Sequence, residues 1–412
     1  MIWLLGGYLW LFIHRPFEIW TWLGDIHLER VYMIVTCLYW LLLADKSWLS
    51  NRLNLALGFF WCVVLASCFL SPFDSNVEGY AKVSLLYLLL ITTLRSERDL
   101  RLIVVMFMAV MGLYMLHSLR EYLCGRHVYR MGIARMVGVD KTYGDPNTFS
   151  ASILYALPLV YPVWRLVQRV WQRRLLMGYV GLSVVCILLT GSRSAFVGLC
   201  ALAIVATLLS RFRWKIAVGL IVVAPAMWFV LNESLQRRFL TIVDPAYGPT
   251  NAQLSAESRE KGWRDGVRMW QEHPLLGVGP GCFPQARGYP LESHHLYGQV
   301  LGELGTLGAL AFAAVVLAFL GNYRRLVRLC RMAPLLADSF PARLIRSITL
   351  TVLLLLLMGF GGHNLYRYTW IWFGAFQAVA LRCAMWRVAS DWADERMLET
   401  GGVLAASSPV AA

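Results

Sequence analysis

Twelve long apolar runs constrain the fold of this chain more than any other feature of its sequence. They lie near residues 2–13, 31–44, 53–70, 79–94, 102–119, 147–164, 175–190, 194–210, 214–231, 296–320, 344–361 and 368–388. A helix crosses the hydrocarbon core of a bilayer with about 20 residues. Hydrophobic residues make up 58% of the chain, which is extreme for a soluble protein and ordinary for a helical membrane protein. We therefore expect an all-α polytopic membrane protein with about twelve spanning helices.

The positions of the basic residues predict the orientation of these helices. With the amino terminus inside, every short inner loop carries lysine or arginine, as the positive-inside rule requires. These residues are Lys46, Arg52, Arg95, Arg98, Arg101, Arg165, Arg169, Arg173, Arg174, Arg211, Arg213, Lys215, Arg324, Arg325, Arg328, Arg331, Arg343 and Arg346. The two long loops, residues 120–146 and 232–295, then lie outside. We expect one integral-membrane domain over residues 1–400, followed by a disordered cytoplasmic tail at residues 401–412.

The net charge of +14 does not indicate a nucleic-acid-binding protein, because the basic residues form no single stripe. Membrane topology and anionic lipid groups account for them better. Seven of the nine cysteines lie in or beside apolar runs without the spacing of metal ligands, and we interpret them as small hydrophobic residues. Cys124 and Cys282 lie in loops on the same predicted side, where a disulfide remains open. The first apolar run is interpreted as a retained helix rather than a cleaved signal peptide.

Asp145-Pro146-Asn147 opens the sixth apolar run. Aspartate followed by proline is typical of a helix start, so an N-cap is the simplest interpretation. The alternative is an anion site, because the positive end of that helix would lie beside Arg135 and Lys141. Both interpretations stay open at the level of sequence.

Arg193 lies in a tight turn, T-G-S-R-S, at residues 190–194. Glycine and serine favour a turn, and the long arginine side chain there can reach lipid headgroups. A lone arginine on a short outer turn nevertheless opposes the positive-inside rule, and a charge at the membrane edge indicates function by default. Ligand contact and plain anchoring both remain open for Arg193.

Residues 257–272 are predicted to form a basic helix. Trp263 and Trp270 lie on one face with helical period, and Arg259 lies one turn before Trp263 on that face. We therefore expect Arg259 to face the helix bundle. Arg264 lies on a neighbouring row, where contact with an anion competes with a simpler interpretation, an amphipathic helix on anionic lipid.

The next segment, H-P-L-L-G-V-G-P-G at residues 273–281, is expected to be a flexible loop because it contains three glycines. It does not match a nucleotide-binding loop, since no predicted strand precedes it.

His294 and His295 follow, at the start of the tenth apolar run. Two imidazoles at a membrane edge beside a basic loop are candidates for acid–base catalysis near neutral pH. Consecutive helical residues point about 100° apart, so only one imidazole faces a given substrate and the pair is a poor metal site. Glu303, nine residues after His294, is a candidate to orient a neighbour or to pair with an arginine.

Together these segments resemble the O-antigen ligase and polymerase family, integral-membrane glycosyltransferases of the bacterial envelope with a GT-C type of fold. The most specific similarity is R-x-x-x-W at residues 259–263, H-P-L-L-G-V-G-P-G at 273–281 and H-x-L-Y-x-x-x-L-G-E-L-G-x-L-G at 294–308. The family has His-Asn where this chain has His294-His295, and the spacing to Glu303 assigns the family's histidine to His294. The turn with Arg193 matches as well.

The resemblance implies a glycan carried on undecaprenyl diphosphate and transferred to an acceptor hydroxyl on the periplasmic face of the bacterial inner membrane. The acceptor is lipid A-core for a ligase, another glycan for a polymerase and a protein for a protein O-oligosaccharyltransferase; we expect a ligase. The catalytic candidates are His294 and His295. The candidates for binding the diphosphate are Arg193, Arg259, Arg264, Arg135 and Lys141, and the supporting residues are Asp145, Asn147 and Glu303. We expect inversion at the anomeric carbon, no metal, no other cofactor and no nucleic acid, with membrane lipids as partners.

Two other classes of function fit parts of this pattern. A transporter or flippase for lipid-linked sugars also needs basic residues, but it places them along a path through the bilayer. Here the distinctive charges collect at one predicted face. A non-catalytic scaffold would have no use for clustered arginine and histidine.

Overall fold

A computed structural model describes residues 1–75, 77–130, 133–142, 144–210, 212–244, 251–289 and 293–406. About three quarters of these residues are helical and very few are in strands, which confirms the predicted all-α class, and the twelve apolar runs coincide largely with helices. Among the described residues, five helices are long and apolar enough to cross a membrane, namely Arg52–Phe69, Glu97–Leu123, Val170–Leu189, Leu296–Met332 and Phe340–Met358. The chain therefore has the character of a multi-pass membrane protein.

The helices follow one another along the chain with two long connections that contain shorter elements. The first half contains α1 (Ile2–Ile13), α2 (Pro16–Ile19), α3 (Thr21–Asp25), α4 (Leu28–Leu42), α5 (Arg52–Phe69), α6 (Glu78–Thr93), α7 (Glu97–Leu123), an antiparallel hairpin of β1 (Val128–Arg130) and β2 (Ile133–Arg135), α8 (Pro146–Ala156), a 3-10 turn (Leu157–Leu159) and α9 (Val160–Trp164). Next come α10 (Val170–Leu189), α11 (Arg193–Leu209), α12 (Arg213–Val230), α13 (Glu233–Leu240), α14 (Asn251–Glu272) and α15 (Phe283–Arg287). The last elements are α16 (Leu296–Met332), a 3-10 turn (Pro334–Asp338), α17 (Phe340–Met358) and α18 (Tyr368–Ala406). The rest of the predicted tail, residues 407–412, lies outside the described residues.

Local sequence signals start several helices. Ser96 and Asp99 form a capping box at the start of α7, in which the serine side chain accepts the backbone N–H of Asp99. Asp145 caps α8, with Pro146 at its first position. Ser192 caps α11 by accepting the backbone N–H of Ala195. The N-cap interpretation of Asp145 is therefore confirmed.

The carboxyl-terminal helix α18 lies in the core and packs against α6 and α17. Its aromatic residues between Tyr368 and Phe376 are buried, whereas Trp386 further along is exposed. Trp372, fully buried, donates its indole N–H to the carbonyl of Val83 at 3.0 Å. This packing positions the nine residues 359–367 that connect α17 to α18, which we call the 359–367 loop.

Helices α14 and α16 cross at glycines. Gly262 and Gly266 on α14 face Gly298 and Gly302 on α16, and a Cβ added to Gly266 would lie 2.2 Å from the carbonyl oxygen of Gly298. Small residues four apart allow two helix backbones to approach this closely. The packed face of α14 therefore differs from the predicted tryptophan stripe, and Trp263 remains 40% exposed.

Replacing Gly266 with alanine is expected to destabilise the protein. The new Cβ would meet backbone rather than a flexible side chain, so α14 has to shift, at a cost of about 1–3 kcal/mol. Gly178 on α10 is the matched control, because a Cβ there meets nothing within 4 Å. Gly178→Ala should leave the melting temperature unchanged or slightly higher. Equal melting temperatures for the two variants in one detergent would contradict the glycine crossing.

The glycine-rich loop at residues 273–281 is held against a break in α16. The backbone N–H of Val278 donates to the carbonyl of Gly302 at 2.9 Å, and that of Gly279 donates to Glu303 at 3.0 Å. Gly305 interrupts the helix with a φ of 64°. This backbone conformation favours glycine. The loop is therefore hydrogen-bonded in place, which corrects the expectation that its glycines make it flexible.

Candidate functional site

The 359–367 loop is the meeting point of several chemically active side chains. The amino-terminal end of α16 is fixed to it, because the backbone N–H of Leu296 donates to the carbonyl of Gly359 at 2.7 Å. The hydroxyl of Tyr297 also donates to the carbonyl of Leu356, at the end of α17, at 3.0 Å. The two predicted histidines, which immediately precede α16, are thereby held beside this loop.

His294 faces His363, with the ring centroids 5.5 Å apart. His363 is partly buried, and its Nδ1 is enclosed without a hydrogen-bond partner among the described residues. Burial and then the neighbouring His294 lower the pKa of His363 from 6.5 to about 4. His363 is therefore neutral at physiological pH.

His295 takes a different position from His294. Its Nδ1 accepts the backbone N–H of Gly298 at 3.1 Å, so the side chain caps α16. Its ring lies against apolar neighbours, Trp263 at 5.3 Å and Phe360 at 5.9 Å between centroids. Burial lowers the pKa of His295. His295 thus caps α16, while His294 faces the imidazole of His363.

Arg259 lies on the packed side of α14 and reaches the 359–367 loop. Its guanidinium covers Gly361, where an added Cβ would lie 3.3 Å from Cζ. Burial and then the like charge of Arg193 lower the pKa of Arg259. Within the described residues, Arg259 forms no ion pair with a carboxylate. The prediction that Arg259 faces the bundle agrees with this position.

Arg193 is the first residue of α11, and residues 190–192 form the turn that precedes it. Its Nη1 donates to the hydroxyl of Thr241 at 3.0 Å. Helix α13 is anchored to the same turn, because Nε of Arg238 donates to the carbonyl of Gly191 at 2.6 Å. Gly191 has a φ of 57°, the left-handed conformation that a tight turn needs here. Arg193 on α11 and Arg259 on α14 thus approach one region from separate helices.

Residues 178–313 match the protein-family model described as O-antigen ligase. The resemblance to the O-antigen ligase and polymerase family is confirmed. We call residues 178–313 the O-antigen ligase segment; it covers about a third of the chain and contains Arg193, Arg259 and His294. No curated protein matches the sequence.

Arg264 is also in the O-antigen ligase segment but points away from the 359–367 loop. It is exposed and paired with Glu260 on its own helix. Arg268 is likewise paired with Glu272 at 3.1 Å, so each of these two arginines has a carboxylate partner on its own helix.

Arg135 and Lys141, outside the O-antigen ligase segment, occupy different environments. Arg135 is 1% exposed; its Nε donates to the carbonyl of Thr190 at 2.6 Å and its Nη2 to the side-chain oxygen of Asn147 at 2.9 Å. It therefore ties the start of α8 to the turn that carries Arg193. The side chain of Lys141 is exposed, and its backbone N–H donates to Glu18 at 2.7 Å.

Glu303 is fully buried at the break in α16. Its Oε2 accepts the backbone N–H of Gly281 at 3.1 Å, which secures the glycine-rich loop. Tyr366 of the 359–367 loop lies beside it, and burial together with the Glu303 carboxylate raises the pKa of Tyr366 well above its usual value. Glu303 thus contacts both the glycine-rich loop and the 359–367 loop. Its spacing from His294 in the sequence does not predict these contacts.

His363 and Arg367 were not among the site residues predicted from the sequence. Nη2 of Arg367 donates to the carbonyl of Thr148 on α8 at 2.9 Å, and its guanidinium lies 5.5 Å from the ring of Tyr155. The negative charge of Asp145, the cap of α8, raises the pKa of His363 and so offsets part of its lowering by burial. The signal was available, because a histidine and an arginine in a short outer loop oppose the positive-inside rule as Arg193 does.

Cysteine pairs and metal clusters do not contribute to the site as described. All nine cysteines are free; Cys124 is exposed and Cys282 is buried, so the disulfide left open by the sequence does not form in this structure. In the part of the chain that the structure describes, no group of three or more His, Cys, Asp or Glu side chains is arranged to hold a metal ion.

Acid is expected to destabilise the protein through His363. Its pKa is about 4 in the folded protein and near 6.5 when unfolded, so between these values the unfolded state binds the proton and the folded state does not. Stability from this source is complete above pH 6.5 and falls as the pH approaches 4. His363→Gln should make the melting temperature fall less steeply from pH 7 to 4, and His273→Gln, at an exposed histidine, should not. Identical pH profiles for wild type and His363→Gln would contradict this assignment.

Proposed function

We propose that the chain is an inverting glycosyltransferase, which moves a glycan from undecaprenyl diphosphate to an acceptor hydroxyl on the periplasmic face of the bacterial inner membrane. The proposal includes a GT-C-like arrangement of about twelve spans, with both long loops periplasmic. One observation carries it: Arg259 is partly buried, has no carboxylate partner within the described residues and lies near the like charge of Arg193. A buried cation of this kind favours a bound anion.

The diphosphate of the donor supplies the anion in this proposal. Glycosyl transfer releases a diphosphate, so the negative charge that develops on the leaving oxygen has to be neutralised. A guanidinium presents a rigid fork of N–H donors that matches phosphate. Arg193 and Arg259 approach from α11 and α14, so two forks act on one group.

His294 is the proposed general base. The acceptor hydroxyl loses its proton as its oxygen attacks the anomeric carbon, and the bond to the diphosphate breaks on the opposite face, which inverts the configuration. His294 takes the proton. A protonated neighbour would oppose that step, and His363 is neutral because its pKa is about 4. Base catalysis of this kind typically supplies about 10²–10⁴-fold in rate.

An apolar groove beside Arg193 supports a lipid-borne donor. It has a volume of about 260 Å³ and lies between α11, α12 and the segment around α13. Its lining residues are Phe196, Val197, Cys200, Trp228, Phe239, Leu240, Ile242 and Val243. Phe196, Val197 and Cys200 lie within two helical turns of Arg193, so a prenyl chain in the groove would bring its diphosphate to the arginine.

Formation of a covalent product distinguishes a transferase from a flippase. In detergent there are no compartments, so a flippase makes no product, whereas a transferase still joins the glycan to an added acceptor. We favour lipid A-core as the acceptor, with a ligase activity. A deletion strain would distinguish the acceptors. The strain loses capped lipopolysaccharide if the protein is a ligase, long glycan chains if it is a polymerase, and protein glycosylation if it acts on proteins. Absence of any covalent product in detergent, from protein of native melting temperature, would overturn the transferase proposal.

A chelator is expected to leave transfer unchanged. In this mechanism arginines, rather than a divalent cation, neutralise the diphosphate. The measurement is transfer rate before and after dialysis against EDTA, with and without added Mg²⁺. Loss of activity in EDTA that Mg²⁺ restores would contradict a metal-independent reaction.

A further inference from the structure

A basic cavity lies at the opposite ends of α1, α7 and α18 from the 359–367 loop. It has a volume of about 580 Å³ and is lined by Trp3, Glu97, Arg98, Arg101, Leu102, Val105 and Arg387. Arg387 follows Tyr368, the first residue of α18, by 19 residues. A helix of that length extends about 30 Å, which is the thickness of the hydrocarbon core of a bilayer. The cavity and the candidate active site therefore face opposite leaflets.

Positive charge exceeds negative charge in this cavity. Among the described residues that line it, Glu97 is the only carboxylate, and it pairs with Arg387 at 2.6 Å and also with Arg101. Arg98 is exposed and makes no ion pair within the described ranges. Nε of Arg101 is buried without a hydrogen-bond partner in the same part of the chain. One carboxylate thus faces three guanidinium groups, and the remaining charge is complementary to an anion.

The wall of the cavity indicates what kind of anion fits. Trp3 on α1 is 71% exposed and Val105 on α7 is 41% exposed, and both lie on the outer surface of the helices. A soluble anion would contact the arginines and leave this apolar wall in water. A phospholipid covers both, with its phosphate at the arginines and its acyl chains along the wall.

We propose that this cavity binds the headgroup of an anionic phospholipid from the leaflet opposite the candidate active site. The lipid contacts Arg98, Arg101 and Arg387 through its phosphate and lies against Trp3. It thereby bridges α1, α7 and α18, and α18 begins directly after the 359–367 loop. The inference does not depend on the proposed glycosyl transfer.

The test is lipid binding to the purified full chain in detergent, followed by native mass spectrometry. Phosphatidylglycerol and phosphatidylcholine with the same acyl chains are the probes. Each arginine near a lipid phosphate contributes roughly fivefold in affinity. We expect wild type to prefer phosphatidylglycerol, Arg98→Gln to weaken that lipid roughly fivefold and Arg98→Gln with Arg387→Gln to weaken it roughly 25-fold. Binding of phosphatidylcholine should change less, because its choline cation cancels the charge of its phosphate.

Arg328→Gln is the matched control, because Arg328 is exposed on α16 and does not line the cavity. Arg98→Gln is the decisive single variant, since Arg98 makes no ion pair with any described residue and its loss should not disturb the fold. Equal affinity for the two lipids in wild type, or an equal loss in Arg328→Gln, would overturn the proposal. Displacement of phosphatidylglycerol by millimolar inorganic phosphate would instead assign the cavity to a soluble anion and also overturn it.

Discussion

Replacing His294 with alanine is expected to lower glycan transfer by about 10²–10⁴-fold while the protein still inserts and folds. The variant loses the group that accepts the proton of the acceptor hydroxyl and keeps both arginines of the diphosphate site. The apparent affinity for the donor should therefore change little. The measurement is turnover at saturating donor and acceptor, with the melting temperature of each preparation as the check on folding.

His295→Ala is the comparison that separates catalysis from helix capping. His295 accepts the backbone N–H of Gly298, so its loss should destabilise the protein by about 1 kcal/mol and leave turnover near that of wild type. The opposite pattern, in which His295→Ala abolishes transfer and His294→Ala retains it, would assign the base to His295. Retention of transfer in both variants would remove general-base catalysis by these histidines from the mechanism.

Replacing Arg259 with glutamine is expected to reduce kcat/KM for the donor by about 10²–10³-fold, because a preorganised donor to the departing diphosphate is lost. Arg259→Lys should recover little of this, since an ammonium is a point charge and not a fork. Dependence on acceptor concentration should change much less. The measurement is a donor titration at fixed acceptor, together with binding of undecaprenyl diphosphate alone.

Arg264→Gln provides the matched control on the same helix. Arg264 is exposed and paired with Glu260, so its loss should change donor use by no more than about twofold. A second readout is stability without donor. The like charge of Arg193 acts on Arg259, so Arg259→Gln should not lower the melting temperature, whereas loss of an arginine with a purely structural ion pair should. Unaltered donor kinetics in Arg259→Gln would count against a phosphate role.

Much of the local structure followed from the sequence because the interactions involved are local. Apolar runs of sufficient length predict helices, and the start of α8 at Pro146 follows from the capping chemistry of Asp145. Helical periodicity also predicted that Arg259 faces the bundle. The packed face of α14, however, carries Gly262 and Gly266 rather than the predicted tryptophan stripe. Two pairs of glycines four residues apart, on α14 and α16, were the signal for that crossing.

The separation of His294 from His295 was decided by tertiary structure. A sequence predicts that two adjacent imidazoles diverge but does not say which one faces a partner. Here the cap on Gly298 occupies one ring, and the loop that begins 65 residues later supplies His363 to the other. Arg135 shows the same limitation. Its charge suggested an anion site, whereas its guanidinium connects the start of α8 to the turn before Arg193.

The sequence by itself determined a helical chain with the character of a membrane protein and a resemblance to the O-antigen ligase and polymerase family, because hydrophobic length, capping residues and motif spacing are properties of neighbouring residues. Only the tertiary structure decided which basic side chains converge. Arg259 and Arg264 are five residues apart with the same chemistry, yet one covers Gly361 beside Arg193 and the other pairs with Glu260 in solvent. Long-range packing sets that difference, since the face of a helix that is buried depends on what lies across from it.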